Sequence, residues 1–168
     1  MTTLFAQPYD ITATGFYFDS FESYESKAST LRNEHGDPVE EYEIQYIDGE
    51  DIDSDLSKAF ELNQINIEAF FTAVDDWDDH QKIIFIIAVG ECGCQFDVQS
   101  DHPDQLDVDL FELDSMKELA EHFVDEGLYG EIPQALQFYI DTDAMARDLE
   151  VDYSETIVAG TRYVFRCA

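Results

Sequence analysis

The sequence predicts an α+β fold, arranged as an elongated chain of three small units. Strand-like alternation of apolar and polar residues occurs towards both ends of the chain, while the middle shows helical spacing. The predicted units are an N-terminal α+β domain (1–54), a central helix-rich domain (55–103) and a C-terminal α+β domain (104–168). The formal charge of −31 favours an elongated arrangement, because spacing the charges apart reduces their mutual repulsion.

The N-terminal unit is predicted to contain two strands, a helix and a third strand. The segments TLFAQPY and TGFYFDSF are β-prone, and YESKASTLRNEHG has the spacing of a helix that stops at Gly36. The segment EEYEIQYID alternates, with Tyr42 and Ile44 on one side and Glu43 on the other. That period of two predicts a half-buried strand with one acidic face.

The central unit is predicted to be helical. DSDLSKAF carries a helix-start signal in which Asp53 or Ser54 is the cap, and INIEAFFTAVDDW has an apolar stripe that includes Ile67 and Phe70. The length and polar start of DDHQKIIFIIAVGE favour a helix over a strand.

The C-terminal unit returns to mixed structure. QLDVDLFEL alternates as a strand, and DSMKELAEHFVDEG predicts a helix capped by Asp114 and ended by Gly127. A pair of helices is expected from Pro133 onwards. TIVAGTRYVFRCA then predicts a β-hairpin with its turn at Ala159 and Gly160.

The charge is spread along the whole chain. There are 39 Asp and Glu residues against 8 Lys and Arg, and residues 1–60, 61–113 and 114–168 carry −11, −12 and −8. Because 45% of residues are hydrophobic and 14% aromatic, the composition predicts a folded protein rather than a disordered acidic tail. Such a surface repels nucleic acid and anionic membranes, so the expected partner is a strongly basic protein surface.

The expected location is the cytoplasm. The opening MTTLFAQPYD lacks the basic and apolar regions of a signal peptide. The longest apolar run, at 83–89, is much too short to span a bilayer.

No segment carries a convincing metal or catalytic motif. YIDGEDIDSDL (46–56) resembles the start of a calcium loop, but counting from Asp51 places Leu56 and Leu62 at the positions that require Gly and Glu. Cys92 and Cys94 are too closely spaced for the usual zinc pair. Phosphate-binding, dinucleotide-binding and nucleophile-elbow motifs do not occur. We therefore expect no metal, no cofactor and no enzymatic activity.

Closely spaced carboxylates recur along the chain. In DDWDD, Asp75 and Asp79 are four residues apart and repel each other if they lie on one helix face. Either high salt screens this repulsion, as in a halophilic protein, or a basic partner relieves it. Duplex DNA carries one charge per ~1.7 Å, so 31 charges match roughly 50 Å of duplex. The charge is therefore sufficient for a protein that imitates DNA.

Two segments resemble the ArdA antirestriction proteins of plasmids and conjugative transposons. They are EEYEIQYIDGE (40–50) and, above all, LYGEIPQALQFYIDTDAMARDLE (128–150), which contains a G-E-I-P step, an aromatic-rich segment ending in Y-I-D, and A-x-x-R-D-L. Residues 136–149 correspond to the family's antirestriction motif.

The resemblance implies an elongated homodimer that imitates B-form DNA and occupies the DNA groove of type I restriction-modification enzymes. Incoming mobile DNA would then escape cleavage. It also implies a dimer contact in the C-terminal domain, so Phe138, Tyr139 and Met145 are expected to serve packing or dimerisation. Arg147 is expected to pair with an acidic residue rather than to face the target.

The carboxylates expected to face the target are distributed over all three predicted units. They are Glu41, Glu43, Asp48, Glu50, Asp51, Asp53, Asp55, Asp75, Asp76, Asp78, Asp79, Asp104, Asp107, Asp109, Asp141, Asp143 and Asp148. The sequence leaves two alternatives open: mimicry directed at another basic target, such as a nucleoid protein or transcriptional regulator, or a halophilic acidic protein without mimicry.

Overall fold

The α+β class is confirmed by a computed structural model, which describes residues 1–168. It contains two three-stranded antiparallel sheets and six α-helices. Two compact units are present, Met1–Leu106 and Asp107–Ala168. None of the helices combines the length and the apolar character needed to cross a membrane.

The first sheet has strand β1 (Thr3–Pro8) at its centre, between β2 (Phe16–Phe18) and β3 (Tyr42–Asp48). Helix α1 (Phe21–Thr30) follows β2. The predicted alternation of β3 is confirmed, because the side of the strand that carries Tyr42 is buried while the acidic side is exposed.

Three further α-helices complete the first unit. These are α2 (Asp51–Ala59), α3 (Ile67–Asp76) and α4 (Asp79–Phe85), which continues into a π-helix (Ile86–Glu91). The segment that could have been either helix or strand is therefore helical, and its side chains from Ile84 to Ala88 are buried.

An aromatic contact joins the first sheet to these helices. The ring centroids of Phe18 in β2 and Phe71 in α3 are 6.1 Å apart, in an edge-on arrangement. The predicted N-terminal and central domains thus pack together within Met1–Leu106. Whether each of them folds as a separate domain stays a prediction.

The second unit places two helices against a small sheet. Its elements are β4 (Val108–Phe111), α5 (Met116–Asp125), a 3₁₀ segment (Gln134–Tyr139), α6 (Thr142–Leu149), β5 (Ser154–Val158) and β6 (Thr161–Cys167). The strand order is β4-β6-β5. Its core consists of Met116, Leu119, Phe123, Ala146, Tyr153 and Val164.

The hairpin between β5 and β6 turns where the sequence predicted. Ala159 and Gly160 both have positive φ, 49° and 81°. Two consecutive residues of this kind form the tight turn that matches the twist of antiparallel strands.

Two predicted helix starts were wrong. Helix α5 is capped by Ser115, whose extended backbone lets its hydroxyl accept from the Glu118 amide at 3.2 Å, and not by Asp114. Helix α2 begins after Glu50, so Asp53 and Ser54 lie inside the helix rather than at its cap.

Two other predicted boundaries also differ. Helix α1 does not reach Gly36, because Leu31 adopts an extended conformation that ends the helix at Thr30. The first predicted helix after Pro133 is instead 3₁₀, with none of its side chains buried. Because its apolar side chains, including Phe138 and Tyr139, are left exposed, tertiary packing does not stabilise a regular α-helix there.

Candidate protein-interaction surface

The negative charge of this chain is displayed almost entirely at its surface. Of the 39 acidic residues, 34 are exposed and four, Asp10, Asp55, Asp109 and Glu118, are partly buried. Asp53 is the single buried carboxylate. The acidic residues therefore contribute a surface charge, with one exception.

Most of the few basic residues have partners within the same chain. Seven of the eight donate hydrogen bonds or form ion pairs within the chain: Lys27, Arg32, Lys58, Lys82, Lys117, Arg162 and Arg166. Their positive charge is therefore directed at groups of the same chain.

Arg147 is the exception among the basic residues. It is exposed on α6 and forms no ion pair within the chain, so the expectation that it pairs with an acidic residue was wrong. The sequence motif does not specify an acidic partner for Arg147, and in the structure its side chain is exposed.

Residues 46–56 contain several exposed carboxylates around the turn that leads into α2. Strand β3 leads into a turn at Gly49, and the Tyr46 hydroxyl donates to the Glu50 carbonyl oxygen at 2.9 Å. Asp48, Glu50 and Asp51 are exposed around this turn. We call these three residues the turn patch.

The pKa of Tyr46 reflects this environment. Burial is the largest cause and the surrounding carboxylates, led by Asp53 and Asp48, add to it, raising the pKa of the Tyr46 hydroxyl to about 12. A negative tyrosinate is disfavoured both by lost solvation and by its acidic neighbours.

Asp53 does not belong to the exposed surface. It is 3% exposed, and Lys82 Nζ lies 2.9 Å from Oδ1 while the Thr2 hydroxyl donates to Oδ2 at 2.8 Å. A buried, paired carboxylate presents no net charge to a partner. The expectation that Asp53 faces the target was therefore wrong. A sequence signal was present, since Asp53 shares the helical spacing of Leu56 and Phe60.

Three other members of the expected set have a basic partner. Asp55 is 2.8 Å from Lys58, Asp143 is 2.9 Å from Lys117, and Asp109 accepts from Arg166 Nε at 2.9 Å. These pairs involve partly or largely exposed side chains, so the charge of each is reduced rather than removed.

Several expected residues also organise the backbone. Asp78 accepts from the Gln81 amide at 2.8 Å and caps α4, while Asp141 accepts from the Ala144 amide at 2.9 Å and caps α6. Asp104 accepts from the Gln81 side chain at 3.0 Å. The remaining expected residues, Glu41, Glu43, Asp75, Asp76, Asp79, Asp107 and Asp148, are exposed.

The residues expected to serve packing or dimerisation differ in exposure. Phe138 is 95% and Tyr139 83% exposed, whereas Met145 is half-buried. The two aromatic rings therefore do not contribute to the core of their own chain. Their part in dimerisation stays a prediction.

Candidate catalytic and metal-binding side chains are scattered. His80 is exposed, His122 packs against Phe111 with ring centroids 5.7 Å apart, and Cys94 is a half-buried free thiol. No three His, Cys, Asp or Glu residues are arranged to hold a metal ion.

The sequence was compared with protein families and with individual curated proteins. The model of the antirestriction protein family ArdA matches residues 37–164, which is 128 of the 168 residues. No individual curated protein matches the chain. The matched region contains β3, the turn patch, all the central helices and nearly the whole second unit. The chain belongs to the ArdA family of antirestriction proteins.

Proposed function

We propose that the protein is a DNA mimic that binds the DNA groove of type I restriction-modification enzymes and inhibits them. Incoming mobile DNA is thereby protected from cleavage. The observation that carries this proposal is the combination of 34 exposed acidic residues with basic residues that almost all bind other groups of the same chain. A basic groove shaped for phosphates is the complement of such a surface.

The charge of each unit supports the proposal. Met1–Leu106 contains 24 acidic and 4 basic residues, a net charge of −20, and Asp107–Ala168 contains 15 and 4, a net charge of −11. At one charge per ~1.7 Å of duplex, these units correspond to roughly 34 Å and 19 Å of DNA. Both units therefore carry enough charge to take part in binding.

The proposed contact residues are the exposed members of the expected set, without Asp53. The protein acts by occupying the groove rather than by catalysis, without a cofactor and without binding nucleic acid or membranes directly. Its proposed location is the cytoplasm, where it would meet these enzymes.

We also propose a homodimer that forms through the C-terminal region. The exposed rings of Phe138 and Tyr139 support this, because large aromatic side chains left in water are typical of protein contact sites. A dimer would double the charge available to the target.

The test is binding to a purified type I methyltransferase, measured by titration at low salt. The wild-type protein is expected to bind and to displace a fluorescent DNA duplex. Neutralising the turn patch (Asp48→Asn, Glu50→Gln, Asp51→Asn) removes three exposed charges. At about 0.5 kcal/mol each, the affinity should fall about tenfold.

The matched control neutralises three exposed acidic residues outside the expected set, Glu22, Glu25 and Glu34, each to Gln. This variant should bind more tightly than the turn-patch variant, and both should be at least as stable as wild type. If both variants lost the same affinity, binding would depend on net charge alone and not on the turn patch. Absence of binding across several type I enzymes would contradict the proposal.

A further inference from the structure

The outer face of the first sheet carries an aromatic pair. On the inner face, Leu4 and Ala6 are fully buried against the helices. On the outer face, Phe5 of β1 and Tyr17 of β2 lie directly opposite each other, with ring centroids 4.7 Å apart. Tyr17 is 59% exposed. We call Phe5 and Tyr17 the outer aromatic pair.

The local backbone holds this pair in place. A side chain at Gly15 would lie 2.5 Å from the Phe5 ring, so the glycine lets that ring lie against the backbone. Lys27 Nζ donates to the Tyr17 carbonyl oxygen at 2.7 Å, which ties the short edge strand to α1. A pre-ordered aromatic surface loses less conformational entropy on binding than a mobile one.

A carboxylate lies on the same face of the sheet, on the strand next to Phe5 and two strands away from Tyr17. Phe5 is opposite Gln45 of β3, and the neighbouring outward position on β3 is Glu43. Diagonal neighbours of this kind are roughly 7–8 Å apart. Gln45 Nε2 donates to Glu43 at 3.2 Å, so the carboxylate is directed along this face.

An aromatic face beside a carboxylate is suited to arginine. A guanidinium can stack on a ring with its plane while its N–H groups donate to a carboxylate. Single-stranded nucleic acid also stacks on aromatic residues of sheets, but the net charge of −20 on this unit opposes a polyanion. A lysine ammonium lacks the planar group that stacks on the ring.

We infer that the outer aromatic pair and Glu43 bind an arginine side chain of the basic target. The choice of target rests on the proposed function. The surrounding carboxylates attract the target through long-range charge, which salt screens. The aromatic contact adds a short-range component that depends little on salt. Both aromatic residues precede residue 37 and so lie outside the region that the family model matches.

The experiment compares Tyr17 variants in binding to a type I methyltransferase, at low and at moderate salt. Tyr17→Leu keeps an apolar side chain but removes the ring, and should weaken binding about fivefold at both salt concentrations. Tyr17→Phe keeps the ring and should bind like wild type. Glu43→Gln should weaken binding mainly at low salt. Thermal unfolding of each variant controls for folding.

A second measurement does not depend on the methyltransferase. Aromatic NMR signals of Phe5 and Tyr17 are followed while a short arginine-glycine peptide or its lysine-glycine counterpart is added. The arginine peptide should shift both signals, and the lysine peptide should shift them less.

The outcomes separate this inference from the proposed function. If turn-patch variants lose affinity while Tyr17→Leu binds like wild type, the inference is overturned and DNA mimicry stands. If wild type does not bind the enzyme but the arginine peptide shifts both signals, the pair recognises arginine and the proposed target is wrong. If Tyr17→Leu instead abolishes self-association, the face is a contact between copies and the inference is wrong.

Discussion

Asp51 and Asp53 lie two residues apart in α2, yet the fold uses them in opposite ways. Asp51 is exposed and adds to the surface charge, whereas Asp53 is buried against Lys82 and Thr2. The difference follows from the helix, which turns about 100° per residue and so separates their faces. In an acidic protein, residue type therefore does not identify the residues that face a partner.

The buried ion pair should be far more sensitive to mutation than an exposed one. Lys82→Met leaves the Asp53 carboxylate buried without its cation, so we expect a loss of about 3–5 kcal/mol in the free energy of unfolding. Lys58→Met, which breaks the exposed pair with Asp55, should cost about 0–1 kcal/mol. Urea denaturation measures both. Equal losses would contradict the assigned role of Asp53.

Tyr46 should make the stability of the protein depend on pH in the alkaline range. Its folded pKa of about 12 lies above the ordinary value of 10.0, so the folded state favours the neutral hydroxyl. This contribution to stability is complete below pH 10 and is lost as the pH rises through 12. Tyr46→Phe should therefore flatten the decline in stability over that range. The variant should also cost about 1 kcal/mol at pH 7, through loss of the hydrogen bond to Glu50.

Absorbance of tyrosinate checks the same assignment directly. The pKa values of Tyr24, Tyr42 and Tyr153 are also raised by burial, so several tyrosines titrate above the ordinary range. The tyrosinate signal that appears near pH 12 should be smaller in Tyr46→Phe than in wild type. Loss of amplitude near pH 10 instead of near pH 12 would contradict the assignment to Tyr46.

At the scale of elements, alternation and turn chemistry proved more informative than capping signals. The alternating segment around Tyr42 became β3, and Ala159-Gly160 became a hairpin turn. The predicted cap of α5 was one residue early, because Asp114 and Ser115 compete for that position. The predicted cap of α2 was three or four residues late, because α2 begins after Glu50 without a side-chain cap. The conformation of the chain before each helix determines which residue becomes the cap.

The burial of Asp53 could be predicted only in part. Its spacing relative to Leu56 indicates an inward position, but no spacing rule links it to Lys82, 29 residues further along the chain. The outer aromatic pair was likewise invisible in the sequence, because it depends on the register between β1 and β2. Both contacts join segments that are distant in sequence, and local spacing does not predict such contacts.

The hairpin turn offers a stabilising substitution. Ala159 has a φ of 49°, a left-handed backbone conformation that costs about 1–2 kcal/mol for most residues. Asn tolerates this conformation, and Asn-Gly is the preferred pair for such turns. Ala159→Asn should therefore raise the free energy of unfolding by about 0.5–1 kcal/mol, as measured by thermal or urea denaturation. A loss of stability would contradict the assigned turn geometry.

At the scale of the whole molecule, the charge of −31 should affect folding and binding in opposite directions. Salt screens repulsion among the exposed carboxylates, so the melting temperature should rise by several degrees between 10 and 150 mM NaCl. Screening also weakens attraction to a basic groove, so affinity for the target should fall over the same range. A neutral osmolyte at matched osmolarity controls for effects unrelated to charge.

This salt series also separates mimicry from adaptation to high salt. A DNA mimic should be folded at low salt, where its attraction to the target is strongest. A chain that folds only in molar salt would instead support the halophilic alternative, because its acidic surface would then serve solubility and stability under those conditions.

We propose that this protein occupies the place of DNA in a type I restriction-modification enzyme. The most direct measurement is DNA binding by a type I methyltransferase at several fixed concentrations of the protein. We expect strict competition: the apparent dissociation constant for DNA rises linearly with the protein concentration, and saturating DNA restores the full binding signal. A lowered maximum at saturating DNA, or an unchanged dissociation constant, would contradict it.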